Sequence, residues 1–96
     1  MAKLMPADEI ESRLADMQGW TIDGAAIRKE FRLDGGFMGS IGFVNRLAEA
    51  AEAADHHPDL AISWDTVTVT LSTHSEGGVT ENDLALAAEA DRLAGG

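Results

Sequence analysis

The sequence has no cysteine, few aromatic residues and few basic ones. Without thiols there can be no disulfide framework and no thiolate nucleophile or metal ligand. Aromatic side chains make up 5% of the chain, too few for a base-stacking platform. Seven Lys and Arg stand against 17 Asp and Glu, a formal net charge of -10. Binding along a nucleic-acid backbone needs clustered cations, so nucleic acid is not an expected partner. No apolar run approaches the length of a membrane span. No signal-peptide pattern opens the sequence. The expectation is a cytoplasmic protein, with no nucleic acid and no membrane among its partners, acting on a small molecule or another protein.

What is present suffices for one domain. The chain has 96 residues, of which 45% are hydrophobic, enough for a modest core. Pro6, Asp8, Glu9 and Glu11 suit a helix start, and Ile10, Leu14 and Met17 recur on one face, which predicts a helix over about 6–17, stopped by Gly19. Trp20 to Ile22 and the run AIRKEFRL read as two strands joined by Asp23-Gly24. From Phe37 the period changes. Phe43, Leu47, Ala50 and Ala54 recur at helical spacing, predicting a second helix over about 38–55, although Gly39 and Gly42 weaken its first turn. Ala61 to Trp64 is a short strand. Val67, Val69 and Leu71 then alternate with threonines, the clearest strand in the chain. Residues 75–78 read as a loop. Thr80 and Asp83 form a capping box for a third helix, with Val79 and Leu84 as its hydrophobic staple. The order α-β-β-α-β-β-α predicts an α+β domain: a four-stranded antiparallel sheet with helices packed on one face. Its open edges make strand-edge dimerisation an expectation.

All three histidines fall between Glu52 and Asp83. His56 and His57 are adjacent, and Pro58, which disfavours helix at the residue before it, follows at once. The doublet therefore sits at a helix C-terminus. His74 closes the clearest strand, and a hairpin would return that end toward the doublet. Imidazoles gathered in this way suit acid/base chemistry that adds or removes water. Glu52 and Asp55 are near enough to orient a ring. Asp59 is a turn residue or a further support for a histidine. Trp20 is core, or a flat wall for a planar ligand. Asp83 reads as a helix cap rather than a catalyst. A zinc site of three histidines and a carboxylate is a rival, but the spacing matches no short metal motif.

These residues carry a family pattern. Glu52 precedes His56-His57-Pro58. Five residues then lead to Trp64, nine more to His74, and eight more to Asp83. Gly19-Trp20, Glu30-Phe31, Gly42-Phe43-Val44 with Arg46, Leu71-Ser72-Thr73-His74 and Gly78-Val79-Thr80-Glu81 agree with it. The sequence resembles the pterin-4a-carbinolamine dehydratase family over nearly its whole length. The resemblance implies the fold already read, and dehydration of 4a-hydroxytetrahydropterin to quinonoid dihydropterin. That reaction recycles the pterin cofactor of aromatic amino acid hydroxylases, notably phenylalanine hydroxylase. It implies His56, His57 and His74 as the site histidines, with Glu52 and Asp59 as acidic partners, and a homodimer or homotetramer. It calls for no cofactor and no metal. Within the trio, His56 and His74 are expected to exchange protons while His57 positions the pterin, all three lining one cavity. Two features depart from the family: the 34–39 segment is about one residue longer, and Leu60 replaces an aromatic. The competing expectations are a noncatalytic oligomeric binding or scaffold protein, and a dehydratase-like protein of molybdopterin metabolism.

Overall fold

The computed structural model describes residues 3–95. The first helix, α1 (Ala7–Leu14), starts behind Pro6 and carries Asp8 and Glu9 in its first turn, where they complement the helix dipole. Ile10 and Leu14, four apart, bury its inner face. It stops short of the expected residue 17. Met17 N–H reaches back only three residues, to Leu14 O at 2.9 Å. Gly19 then leaves helical space at φ 90°.

The chain next forms β1 (Thr21–Asp23) and β2 (Ala26–Arg32). The second helix, α2 (Gly36–Ala54), begins two residues ahead of the expected start. Gly39, which weakens that expectation, together with Gly35 permits the earlier start. Gly35 is left-handed at φ 92°, and a Cβ on Gly39 would lie 1.9 Å from Asp34 O. Any side chain there would push the first turn off the preceding loop. After α2 come β3 (Asp59–Ser63) and β4 (Thr66–Leu71), then a 3-10 turn (His74–Glu76) and α3 (Glu81–Gly95).

The sheet is antiparallel throughout, in the order β1-β2-β4-β3. Cross-strand partners share a face. Ile27 pairs with Leu71, and Phe31 with Val67, all buried under the helices. Phe43, Leu47 and Ala51 from α2, and Leu84, Ala87 and Ala90 from α3, complete that core. The opposite face is polar: Arg28, Glu30, Thr68 and Thr70 stand on it, and among the described residues no helix covers it. The expected architecture of four antiparallel strands with helices on one side is the observed one.

The two long helices run antiparallel. Arg46 of α2 donates to Leu93 O near the end of α3, at 3.2 Å, while the end of α2 meets the start of α3. That junction is where the histidines stand. Among the described residues no helix is long and apolar enough to cross a membrane.

Candidate active site

The way α2 ends determines where the doublet points. Asp55 takes the left-handed conformation at φ 51°. Its N–H bonds to Glu52 O at 3.2 Å, and the N–H of His56 bonds to Ala51 O at 3.0 Å. This is the Schellman arrangement, with aspartate in the place usually held by glycine. It reverses the chain sharply. His56 turns back beneath the helix, its side chain only 12% exposed, while His57 remains outside. Pro58 then leads into β3.

His56 Nε2 stands 2.5 Å from Oδ1 of Asp83, whose side chain is fully buried. Asp83 lies in the first turn of α3. Its Oδ2 accepts the Thr80 N–H at 2.8 Å, closing the capping box. The same oxygen accepts the Thr73 hydroxyl at 2.8 Å. Thr73 Oγ1 is also 2.7 Å from Thr80 Oγ1, and since Thr73 gives its proton to Asp83, Thr80 donates to Thr73. Thr80 Oγ1 in turn accepts the Asn82 N–H at 3.2 Å. With Asp83 as a carboxylate, His56 carries its proton on Nε2. Among the described residues Nδ1 has no hydrogen-bond partner, so it is the nitrogen left to exchange a proton with a ligand.

His74 follows Thr73 directly and opens the exposed 3-10 turn. That turn is closed at its base, where Thr73 N–H donates to Gly78 O at 2.8 Å. It is braced from outside by Ser72 on Ala25 O and by Met5 N–H on Val79 O, each at 2.9 Å. Asp83 thus binds His56 directly, and holds the turn bearing His74 through Thr73. His57 forms a separate, exposed pair with Glu52, Nε2 to Oε2 at 2.5 Å. Between α2 and α3 runs a groove of about 370 Å³, with Ala50, Ala54 and Leu86 as apolar walls and His56, Asn82 and Glu89 as polar groups. Of the three histidines it takes in His56 alone.

The remaining expected site residues lie elsewhere. Trp20 is buried in the core, edge-on to Phe31 at 5.9 Å between ring centroids, with its Nε1 donating to Asp91 at 3.1 Å. Asp91 is eight residues beyond Asp83 on α3, so the indole offers no wall beside the histidines. Asp59 opens β3 opposite Thr70, on the polar face of the sheet that the helices leave open. Asp55 is exposed and acts through its backbone, as the reversal that aims His56. Asp83, read from its capping box as a helix cap, also contacts His56; the capping box alone does not signal that second contact, although the family pattern ends on this residue. Among the described residues, no three His, Asp or Glu side chains are gathered closely enough to hold a metal ion.

An open antiparallel sheet under a helix pair, with a buried carboxylate hydrogen-bonded to a histidine where the helices meet, defines a small α+β protein. The sequence model described as pterin 4 alpha carbinolamine dehydratase matches residues 3–93, and the chain belongs to that family. A protein of Mycobacteroides abscessus named "Putative pterin-4-alpha-carbinolamine dehydratase" is 49% identical over 92 residues, covering 96% of this chain and 97% of its own length. A protein of the same name from Roseiflexus castenholzii is 50% identical over 93 residues, covering 97% and 99%. Among solved structures, a transcriptional coactivator/pterin dehydratase from Brucella melitensis superposes with a TM-score of 0.90 at 36% identity, covering 96% of this chain and 99% of that one. A pterin dehydratase-like protein identified as a RuBisCO assembly factor in the alpha-carboxysome superposes at 0.68 and 28% identity, covering 82% and 93%.

Proposed function

We propose that the protein dehydrates a 4a-hydroxytetrahydropterin to the quinonoid dihydropterin, using its histidines as acid and base. The observation that carries this reading is one buried carboxylate, that of Asp83, bonded both to His56 and, through Thr73, to the turn of His74. In the reaction the C4a–O bond breaks and the hydroxyl leaves as water, taking a proton from an imidazolium. The proton on N5 passes to a neutral imidazole, and the N5–H electron pair becomes the new C4a–N5 π bond. Hydroxide is a poor leaving group, so protonation as the bond breaks is where a positioned acid contributes most. Two histidines of opposite protonation state supply both transfers, and they titrate as a pair. His56, its ring fixed by Asp83, and His74, exposed on its turn, fill these roles. His57, steadied by Glu52, positions the ring. The departing hydroxyl is assisted by the neighbouring nitrogen, so the chemistry needs no metal.

In a cell this activity would return the pterin cofactor to aromatic amino acid hydroxylases such as phenylalanine hydroxylase, in the cytoplasm. The protein would act as a homodimer or homotetramer, with the outer edge of β3 available for pairing. The test is a stopped-flow assay of 4a-hydroxytetrahydropterin dehydration by the wild type, His56→Ala and His74→Ala, with and without EDTA. Loss of turnover in both variants, insensitive to chelator, is expected. Near-full turnover in both would refute the proton-transfer roles.

One observation favours a second, noncatalytic reading. Phe37, Met38, Ile62 and Trp64 are exposed around one end of the β3–β4 hairpin, with Trp64 66% exposed and lying against Gly36. Such a surface suits a binding or assembly role, as in the structurally similar RuBisCO assembly factor. A folded wild type that neither dehydrates nor binds a pterin would favour that reading, whereas pterin binding without turnover would favour a place in molybdopterin metabolism.

A further inference from the structure

The turn that carries His74 and the cap that carries Asp83 meet in one short stretch, residues 78–81. The N-terminal part of the chain holds that stretch at three points. Met5 N–H donates to Val79 O at 2.9 Å. Leu4 lies against Gly78, where a Cβ would stand 2.9 Å from Leu4 Cδ2. Arg13, in the last turn of α1, holds Glu81 by both carboxylate oxygens, at 2.9 and 2.7 Å. Thr80 sits between the residues held by Met5 and by Arg13. Its N–H bonds to Asp83 and its hydroxyl to Thr73.

The strap and α1 form one arm. Pro6 fixes the chain between them at φ -64° and ψ 151°, and its carbonyl accepts the Glu9 and Ile10 N–H groups at 3.1 and 3.0 Å. Ile10 and Leu14 anchor α1 in the core. The arm therefore presses on residues 78–81 from a fixed base. That matters because β4 ends at Leu71, so the ladder does not hold the His74 turn directly. The far foot of the turn is Gly78, whose carbonyl accepts Thr73 N–H at 2.8 Å. Gly78 is thus gripped by Thr73 on one side and by the strap on the other. Leu4 is 53% exposed, so its contact with Gly78 is steric more than a matter of burial.

We infer that this N-terminal arm, residues 4–14, is a positioning element for the histidine site, with Met5 as its main positioning residue. The inference rests on the reading of the histidines as acid and base. Leu4, Met5 and Arg13 lie outside the groove that takes in His56, so the arm acts through Gly78, Val79 and Thr80. A misplacement of about 1 Å, caused far from the chemistry, can cost a hundredfold in rate. The arm's effect therefore belongs in kcat.

The test variant is Met5→Pro, which removes the N–H given to Val79 O. Met5→Ala keeps that N–H and controls for the side chain. With both assayed well below their Tm, Met5→Pro should lose roughly ten- to hundredfold in kcat for 4a-hydroxytetrahydropterin with KM within about twofold, and Met5→Ala should stay within about threefold in both. Amide hydrogen exchange reads the arm without substrate. In Met5→Pro the Thr73 and Thr80 N–H groups should exchange at least about tenfold faster relative to those of Val67 and Val69 in β4. Should Met5→Pro fail to fold, Gly78→Ala decides. Its methyl pushes on Leu4, so it should speed the Thr73 and Thr80 exchange in the wild-type background but not in Leu4→Ala, where the methyl has room. Equal acceleration of all four amides, wild-type kcat in Met5→Pro, or the same effect of Gly78→Ala in both backgrounds overturns the inference. Selective exchange at Thr73 and Thr80, in a protein whose wild type does not dehydrate the carbinolamine, upholds the arm and removes the proposed reaction.

Discussion

Replacing Asp83 with asparagine tests the centre of the site, because volume is kept and only charge and donor pattern change. The carboxylate receives three donors: Thr80 N–H, the Thr73 hydroxyl and His56 Nε2. The amide oxygen of an asparagine can keep the two on the Oδ2 side. Its NH2 group then faces His56, which must present a bare Nε2 and move its proton to Nδ1. The nitrogen left to take a proton from a ligand becomes the one that already carries it. Where a carboxylate that orients a catalytic histidine is changed to an amide, the wrong tautomer costs about 10⁴ in rate. A fall of about 10²–10⁴ in turnover is expected here. Stability should fall as well. A hydrogen bond to a charged group is worth about 1 kcal/mol more than a neutral one, so three such bonds amount to about 3 kcal/mol. For a domain of this size that is a drop in Tm of about 10–20 °C. Turnover is measured by stopped flow well below the variant's Tm, and the tautomer by ¹⁵N NMR of the imidazole. In the His56→Ala background the same change should add little further loss, since the two residues act as a unit. A folded Asp83→Asn protein within about twofold of wild-type turnover would refute the argument.

Other outcomes follow from the same structure. Gly39→Ala places a methyl 1.9 Å from Asp34 O and should destabilise the fold by about 3 kcal/mol or more in urea unfolding; a loss under about 1 kcal/mol would mean that the start of α2 yields freely. Trp64 holds φ 50°, a strain of about 1–2 kcal/mol for a bulky L-residue, so Trp64→Asn should hold or raise Tm despite the lost indole contact. The hydrogen bonds from Arg13 keep the Glu81 carboxyl below its ordinary range, so the tie between α1 and α3 is fully present above that range and is lost as pH falls through the lowered value. The Tm gap between wild type and Arg13→Ala should therefore shrink between pH 5 and pH 3, and a gap that grows would contradict the sign. Glu52→Gln removes the carboxylate of an exposed pair and should change stability by less than about 1 kcal/mol, its effect appearing in pterin KM instead.

Most of the architecture is legible in the sequence because it is written in periodicity. Val67, Val69 and Leu71 alternate against threonines and form β4, and Phe43 and Leu47 recur at helical spacing on the buried face of α2. The differences sit where glycine or a reversed backbone decides the outcome. Gly35, Gly36 and Gly39 lower helix propensity yet sterically permit α2 to begin early. His74 reads as the end of a strand, but β4 stops at Leu71 and the bridge from Thr73 to Gly78 closes a 3-10 turn around it. Trp20 illustrates a different limit. Its sequence position is compatible with a core or a ligand wall, and only the contacts with Phe31 and Asp91, both remote in sequence, decide for the core.

Asp83 explains why a helix cap and the partner of a buried histidine can be one residue. A helix N-terminus supplies backbone donors and a favourable field for a negative charge. A carboxylate placed there is held by the Thr80 N–H, so its position is set by the folding of α3 itself. Full burial then makes each remaining lone pair a demand: an unpaired buried acceptor would be costly. Thr73 answers on one oxygen and His56 on the other. The need to satisfy a buried cap is therefore what draws the helix-end histidine inward and ties the strand that precedes His74 to the same point. On this argument the geometry of the pair should survive any change on the exposed side of the site, including loss of Glu52 or His57. It should fail together with the cap when Thr73 or Asp83 is altered.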